Sequence, residues 1–309
     1  MRGKKADDVD GWLVIDKPQG MTSTQVVGKT RWLLHANKNG HTGTLDPFAT
    51  GVLPIAFGEA TKLVPFVMNG DKEYEFVLKW GEKTTTDDIE GEITERCAKI
   101  PSKDEILAAI PHFVGKITQI PPQYSAIKIN GREAYKAARK GEFVEIPARQ
   151  IEIFELELLA EYADSAKFRV KCSKGTYVRT LGKDLAEYLG TVGHLSELRR
   201  TKCANFGLDD KILLDSLEKL EYVEERRKSL LPIETSLRDI AEIAVSAEDA
   251  RKLSMGQGLS PKDYDVLPSE NLLAAVCDGC LIALVRADER KISPIRVFKT
   301  FNKGNTDVD

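Results

Sequence analysis

The apolar positions change period several times along the chain, and each change marks an element. Trp12 to Ile15 is a short continuous apolar run closed by Asp16-Lys17-Pro18-Gln19-Gly20, which predicts a strand entering a turn. Ser23 is then placed to cap a helix whose apolar positions include Val26, Val27 and Leu33. Tyr74, Phe76, Leu78 and Trp80 alternate with other residues, so they share one face of a strand. Ser102 with Glu105 three positions on is a capping box for a helix through Ile110. Another helix is expected over 132–140, stopped by Gly141. Over 151–159 the alternation slips: Ile151 and Ile153 lie on one face, but Phe154, Leu156 and Leu158 on the other, which predicts a bulge. Phe168, Val170 and Cys172 alternate with Lys167, Arg169 and Lys171, a strand with one basic face, and a helix follows Thr176 as far as Gly190.

Strands and helices follow one another irregularly, with no recurring βαβ period and no repeat of solenoid length. That favours an α+β fold with a mixed sheet over a doubly wound one. Beyond about Ser236 short apolar runs at 240–245, 272–276, 281–285 and 295–298 are separated by Gly, Pro and Asp, the texture of a small all-β domain. Cys277-Asp278-Gly279-Cys280 resembles half a metal site, but no second pair or nearby histidine completes four ligands. Asp-Gly between two apolar runs is instead a hairpin signal, with the cysteines flanking the turn.

Composition narrows the class without naming it. No apolar run approaches the roughly 20 residues of a membrane span, and the N-terminus shows no apolar signal core. Five scattered cysteines fit reduced thiols in a cytoplasmic protein better than a disulfide framework. The net charge of −3 says nothing of partners. Its distribution says more: nine Lys/Arg face three Asp/Glu over 165–203, whereas twelve acidic residues face six basic ones over 204–250. A nucleic-acid protein needs one basic face, not a basic total. A solvated helix surface explains the same charges equally simply.

Chemistry concentrates in residues 40–54, GHTGTLDPFATGVLP, where glycines, threonines and prolines make neither a good helix nor a good strand. Asp46 precedes Pro47, which biases it toward extended backbone. A rigid loop presenting one carboxylate suits a nucleophile or general base, though Asp-Pro is also a favoured helix start. His41 reads as loop surface and Tyr74 as core. Arg179 opens a helix, where a cation opposes the dipole unless it is paired.

Taken together these segments resemble the bacterial TruB-type tRNA pseudouridine synthases. The loop GHTGTLDPFATGVLPIAFGEATK at 40–62 is similar to that family's catalytic motif, and Asp16-Lys17-Pro18-Gln19-Gly20-Met21-Thr22-Ser23 to its N-terminal motif. Lys72-Glu73-Tyr74, the acidic turn 86–91, the stretch Pro121 to Lys128 with Tyr135 and Arg139, the segment 175–180 and the segment 193–201 complete the set in order. The resemblance covers roughly residues 11–206.

It implies a large mixed, mainly antiparallel sheet with flanking helices and a central RNA-binding cleft over 1–236. An RNA-clasping insertion would occupy about 121–150, and 237–309 would form a PUA-like RNA-binding domain. It implies isomerisation of the uridine at tRNA position 55, in the TΨC stem-loop, without cofactor, metal or guide RNA. By resemblance Asp46 is the catalytic carboxylate, Arg179 its ion-pair partner, Tyr74 the aromatic stacked on the base and Tyr177 a second tyrosine beside it. His41 helps displace the nucleotide, Leu198 walls the pocket and Lys17 joins the substrate-binding set. Whether Asp46 attacks C1′ or removes a C2′ proton stays open. A glycoside hydrolase would need two carboxyl groups flanking the bond, and the loop 40–54 supplies only Asp46. Monomer is the default expectation.

Overall fold

The computed structural model describes residues 6–264 and 272–299, except Ala126 and Asn130. Part of the expected insertion and of the expected C-terminal domain therefore lies outside the described residues.

Nine strands build one sheet: β1 (Gly11–Lys17), β2 (Asn39–His41), β3 (Thr50–Phe57), β4 (Lys72–Trp80), β5 (Gly115–Gln119), β6 (Arg149–Glu161), β7 (Ser165–Cys172), β8 (Gly193–Cys203) and β9 (Ile212–Leu213). Their spatial order is β9-β1-β3-β8-β4-β7-β6-β5, with β2 also on β3. Only β1–β9 and β3–β8 are parallel, so the sheet is mixed and mainly antiparallel, as expected.

Strand β3 positions the site. Its first residues pair with β8 and its last three with β2, and Pro54 falls in the gap, where no neighbour on that side needs its missing N–H. Gly51 (φ +104°) faces Arg200 across the parallel rung, and a Cβ there would lie 2.2 Å from the Arg200 carbonyl oxygen. Only glycine permits that approach.

Side chains on both faces of β1 and β3 are buried, which is why they read as continuous apolar runs. One face packs on α1 (Ser23–Leu33) through Leu13, Ile15, Leu53, Ile55, Val26 and Leu33. The other joins Trp12, Val14, Val52 and Ala56 to Phe206, to Ala274 and Leu284 of the C-terminal sheet and to Phe298 just beyond it. On β4 and β7, Tyr74, Phe76, Leu78, Trp80 and Phe168 cover α2 (Lys103–Ala109) and α3 (Val178–Tyr188), with Phe76 stacked on Phe168 at 5.2 Å.

The expected bulge is present: the β6–β7 register shifts between Ile153 and Glu155 and leaves Phe154 partly exposed. Other expectations change. Thr22, not Ser23, caps α1, in a reciprocal box with Gln25, because Ser23 is drawn into the neighbouring loop. The expected helix over 132–140 shortens to Ala134–Ala138, since Arg132–Glu133 pairs with Lys128–Ile129. The C-terminal region is a four-stranded sheet of β10 (Glu242–Ala244), β11 (Leu273–Cys277), β12 (Cys280–Ala287) and β13 (Ile292–Val297), but it also holds a helix, Ala247–Ser254. Asp278 and Gly279 both have positive φ in the β11–β12 turn, as the hairpin reading requires.

The basic face of β7 is largely neutralised within the protein. Lys167 pairs with Glu75, Arg169 with Glu157 and Lys171 with Glu155 on the adjacent strands. The alternation in sequence was real, but the charges it exposes are already partnered across the sheet.

Candidate active site

Asp46 sits in the loop between β2 and β3, and the chain leaving Pro47 runs directly into β3 rather than a helix. The helix-start alternative is thereby excluded. Leu45, Phe48 and Ala49 are buried in the main core, whereas the Asp46 side chain is 36% exposed. The apolar neighbours thus anchor the loop and turn its carboxylate outward. The anchoring is polar as well. Ser23 Oγ accepts from Leu45 N (2.8 Å) and donates to Leu45 O (3.1 Å). Gly20 N donates to Pro47 O (2.8 Å), and Ala49 N donates to Asp46 O (3.1 Å), closing a tight turn on the aspartate itself.

Lys17 reaches the same loop from beneath. Its side chain is fully buried, and Nζ donates to Pro18 O (2.9 Å), Met21 O (2.6 Å) and Pro47 O (3.1 Å). Burial lowers its pKa to about 8, against the opposing pull of Asp46. An ammonium so enclosed ties the Asp46 loop to the turn after β1.

Arg179, the second residue of α3, is only 3% exposed and places Nε 2.9 Å from Asp46 Oδ2. Its Nη1 donates to Thr86 O (2.8 Å) and lies 3.5 Å from Asp88 Oδ2, while Nη2 donates to Tyr124 O (2.8 Å). The awkward cation at a helix start is therefore paired, with two carboxylates rather than one. Asp88 is itself buried. Its Oδ1 accepts from Thr86 Oγ1 (2.5 Å) and Glu90 N (3.0 Å), and burial outweighs these contacts in raising its pKa.

Tyr74 shares the core cluster with Leu45, Phe48, Val178 and Leu198. Burial pushes its phenol up to about 12, so it stays protonated through neutral pH. Leu198 lies opposite Phe76 on β8 and, with Phe48, walls a cavity of about 350 Å³ also lined by Gln19, Thr50, Glu75, Lys167 and Arg199. His41 ends β2, and its Nδ1 accepts from Gly43 N (3.2 Å), which puts the imidazole proton on Nε2. Burial, then the charge of Arg200, lowers its pKa, so the ring is neutral at physiological pH. Tyr177 occupies the N-cap position of α3, half-buried, one residue from Val178 and two from Arg179.

The structure thus pairs Asp46 with Arg179, sets Lys17 against the Asp46 loop, and puts Tyr74 and Leu198 in one core cluster with Leu45 and Val178, the neighbours of that ion pair. Sequence reasoning gave Asp88 and Arg200 no role in the site and read Ser23 as a helix cap. Arg200 is fully buried, donates from Nε to Val52 O (2.7 Å) and lies beside the Tyr74 phenol. A signal for it existed: Arg200 stands two residues after Leu198 on a strand, so it shares the inward face. Among the described residues no group of three or more His, Cys, Asp or Glu has the arrangement of a metal site.

Comparison with known proteins bears on the family and the fold. Residues 31–178 match the model of the TruB family pseudouridylate synthase N-terminal domain, and residues 179–238 that of the tRNA pseudouridylate synthase B C-terminal domain. A tRNA pseudouridine synthase B of Caulobacter vibrioides is 45% identical over 306 residues, 96% of this chain and 99% of the relative. One of Bradyrhizobium diazoefficiens is 48% identical over 297 residues, 94% and 86% of the two chains. Among solved structures, a chain of a Cbf5–Nop10–Gar1 complex superposes with a TM-score of 0.71 at 26% identity, covering 94% of this chain and 84% of that one.

Proposed function

This chain belongs to the TruB family of pseudouridylate synthases, has the pseudouridine synthase fold and isomerises uridine in tRNA to pseudouridine; on that premise we propose that its target is the uridine at position 55 of the TΨC loop and that Asp46 is the group acting on it. The observation that carries this reading is the outward carboxylate of Asp46 on a loop pinned from three sides, with the buried guanidinium of Arg179 2.9 Å away. A carboxylate held in that way meets a sugar carbon without reorganising.

The target base leaves its stack to reach such a site, at a cost offset in part by stacking on Tyr74, about 1–3 kcal/mol for a base on an aromatic ring. His41, as a neutral donor at the margin, takes the place the nucleotide vacates, and Leu198 closes the apolar side. The N1–C1′ bond then breaks with its electron pair going to the uracil, while Asp46 either bonds to C1′ or takes the C2′ proton. The freed ring turns so that C5 bonds to C1′, as the Asp46–C1′ bond breaks with its electron pair returning to the carboxylate or, on the other route, as Asp46 gives the proton back to C2′. C5 loses its proton, N1 gains one, and no atom is added or lost overall. Tyr177 lies where it can assist the proton transfer at C5. Residues 1–236 form the catalytic unit, the insertion at about 121–150 closes over the RNA, and 237–309 act as a PUA-like module. The enzyme works as a cytoplasmic monomer, without guide RNA or cofactor. No helix among the described residues is long and apolar enough to cross a membrane.

The test is tritium release from an unmodified tRNA transcript labelled at uridine C5, with no guide RNA added. Wild-type protein is expected to release about one tritium per tRNA, and Asp46→Asn none, a loss of 10⁴-fold or more, roughly the scale of removing a nucleophile. Free uracil as product would instead indicate hydrolysis. Tight tRNA binding without release would indicate an RNA-remodelling role.

A further inference from the structure

The insertion leaves the sheet after β5 and returns at β6, and the last rung before it departs is the pair Gln119–Arg149. Directly opposed residues of an antiparallel pair project from the same face. Here both side chains converge on Tyr177. The buried Gln119 amide accepts from Tyr177 N at Oε1 (3.1 Å) and donates from Nε2 to Tyr177 O (3.3 Å). The Arg149 guanidinium carbon lies 4.7 Å from the centre of the Tyr177 ring, and Nη2 donates to the Gly175 carbonyl. Arg149 Nε is buried with no acceptor among the described residues, and no carboxylate among them pairs with this guanidinium. The residue as a whole is half-buried, so solvent screens its charge and the contacts it makes here use its planar shape: the face of the guanidinium serves the ring and its edge serves the turn.

We propose that Gln119 and Arg149 are positioning residues for Tyr177: the rung at the root of the insertion holds the tyrosine's backbone on one side and its ring on the other. This rests on the reading that Tyr177 lines the target-base site. The root of the RNA-clasping segment and the tyrosine beside the reacting base are thereby one mechanical unit. The arrangement extends to neighbouring contacts, since Arg179 bonds Tyr124 O and Thr180 Oγ1 reaches Ile120 O at 3.5 Å.

A simpler role for Arg149, that of a phosphate-binding cation, makes opposite demands. Lysine keeps the charge but neither stacks as a plane nor offers a fork. Single-turnover tritium release and tRNA Kd are measured for Arg149→Ala, Arg149→Lys, Gln119→Ala and Tyr177→Leu. Both Arg149 variants are expected to slow release about tenfold, with Kd within about twofold of wild type. Arg149→Ala should slow Tyr177→Leu no further. Gln119→Ala should follow Arg149→Ala; if it fails to fold, the Arg149 pair alone decides. Full rescue by lysine, or a weaker Kd with the salt slope reduced by about one, would make Arg149 a phosphate contact and overturn the proposal. If Tyr177→Leu is slow while both Arg149 variants are unimpaired, the rung is dispensable and the inference falls. If Tyr177→Leu itself releases tritium normally, it is the reading of Tyr177 that fails.

Discussion

On one side of the Asp46 loop stand Lys17 and Ser23; on the other stands Arg179. All three are buried, and all three hold the loop, but they meet different parts of it. Lys17 and Ser23 bond only backbone groups, those of Pro18, Met21, Pro47 and Leu45. Arg179 meets the Asp46 carboxylate, the proposed reacting group, and a second one, Asp88, behind it. The residue types follow from this. A donor to carbonyls still functions as a neutral amine, so a lysine with a pKa lowered to about 8 is tolerable there. A partner for a reacting carboxylate must keep its charge whatever its burial, and only arginine does so reliably. One region sets where the loop is, the other what its carboxylate experiences.

The largest effect should come from the electrostatic side. Arg179→Met is expected to reduce single-turnover release about 10²–10³-fold, the range for removing one preorganised charge contact, with little change in tRNA Kd. If Lys17→Met is equally inactive at unchanged stability, the two sides do not differ and the distinction collapses.

Lys17→Met should act on stability instead, lowering it by about 2–3 kcal/mol near neutral pH because buried carbonyls lose their donor. The pH dependence sharpens this. The folded pKa of Lys17 is about 8 and the ordinary value 10.5, so between these pH values the unfolded chain binds the additional proton. This group's contribution to stability is therefore least favourable below pH 8 and improves as pH rises toward 10.5, by up to about 2–3 kcal/mol. The stability gap between wild type and Lys17→Met, from urea melts at pH 7.5 and 10, should widen by that amount. A gap that narrows would mean the ammonium is favoured by folding.

The smallest effect belongs to Ser23→Ala, expected to lose about 1–2 kcal/mol for its two bonds to Leu45. Its turnover should fall only slightly, since Lys17 and the buried Leu45 and Phe48 still anchor the loop. A drop as large as that of Arg179→Met would place Ser23 in the electrostatic group.

Elements with strong periodicity were legible beforehand. The apolar face of β4, the capping box at Ser102, the bulge at Phe154 and the Asp278-Gly279 turn each depend on neighbours a few residues away. Where distant partners intervened, local reading failed. Ser23 has the chemistry of an N-cap, but Leu45 claims its hydroxyl and Thr22 caps in its place. Lys167, Arg169 and Lys171 made a basic stripe, yet Glu75, Glu157 and Glu155 arrive beside them only when the strands pair.

By itself the sequence determined the family, the mixed sheet and the pairing of Arg179 with Asp46, because motif order and short-range periodicity are properties of the chain alone. Tertiary structure decided what each polar group faces: that Lys17 bonds carbonyls around the Asp46 loop, that Arg179 serves two carboxylates, and that Gln119 and Arg149 meet at Tyr177. A charge or amide must find its partners wherever folding places them: Pro18 and Met21 stand close to Lys17 in the chain, but Pro47, Asp46, Asp88 and Tyr177 lie 28 to 133 residues from the side chains that meet them. Such distances are closed only by the sheet.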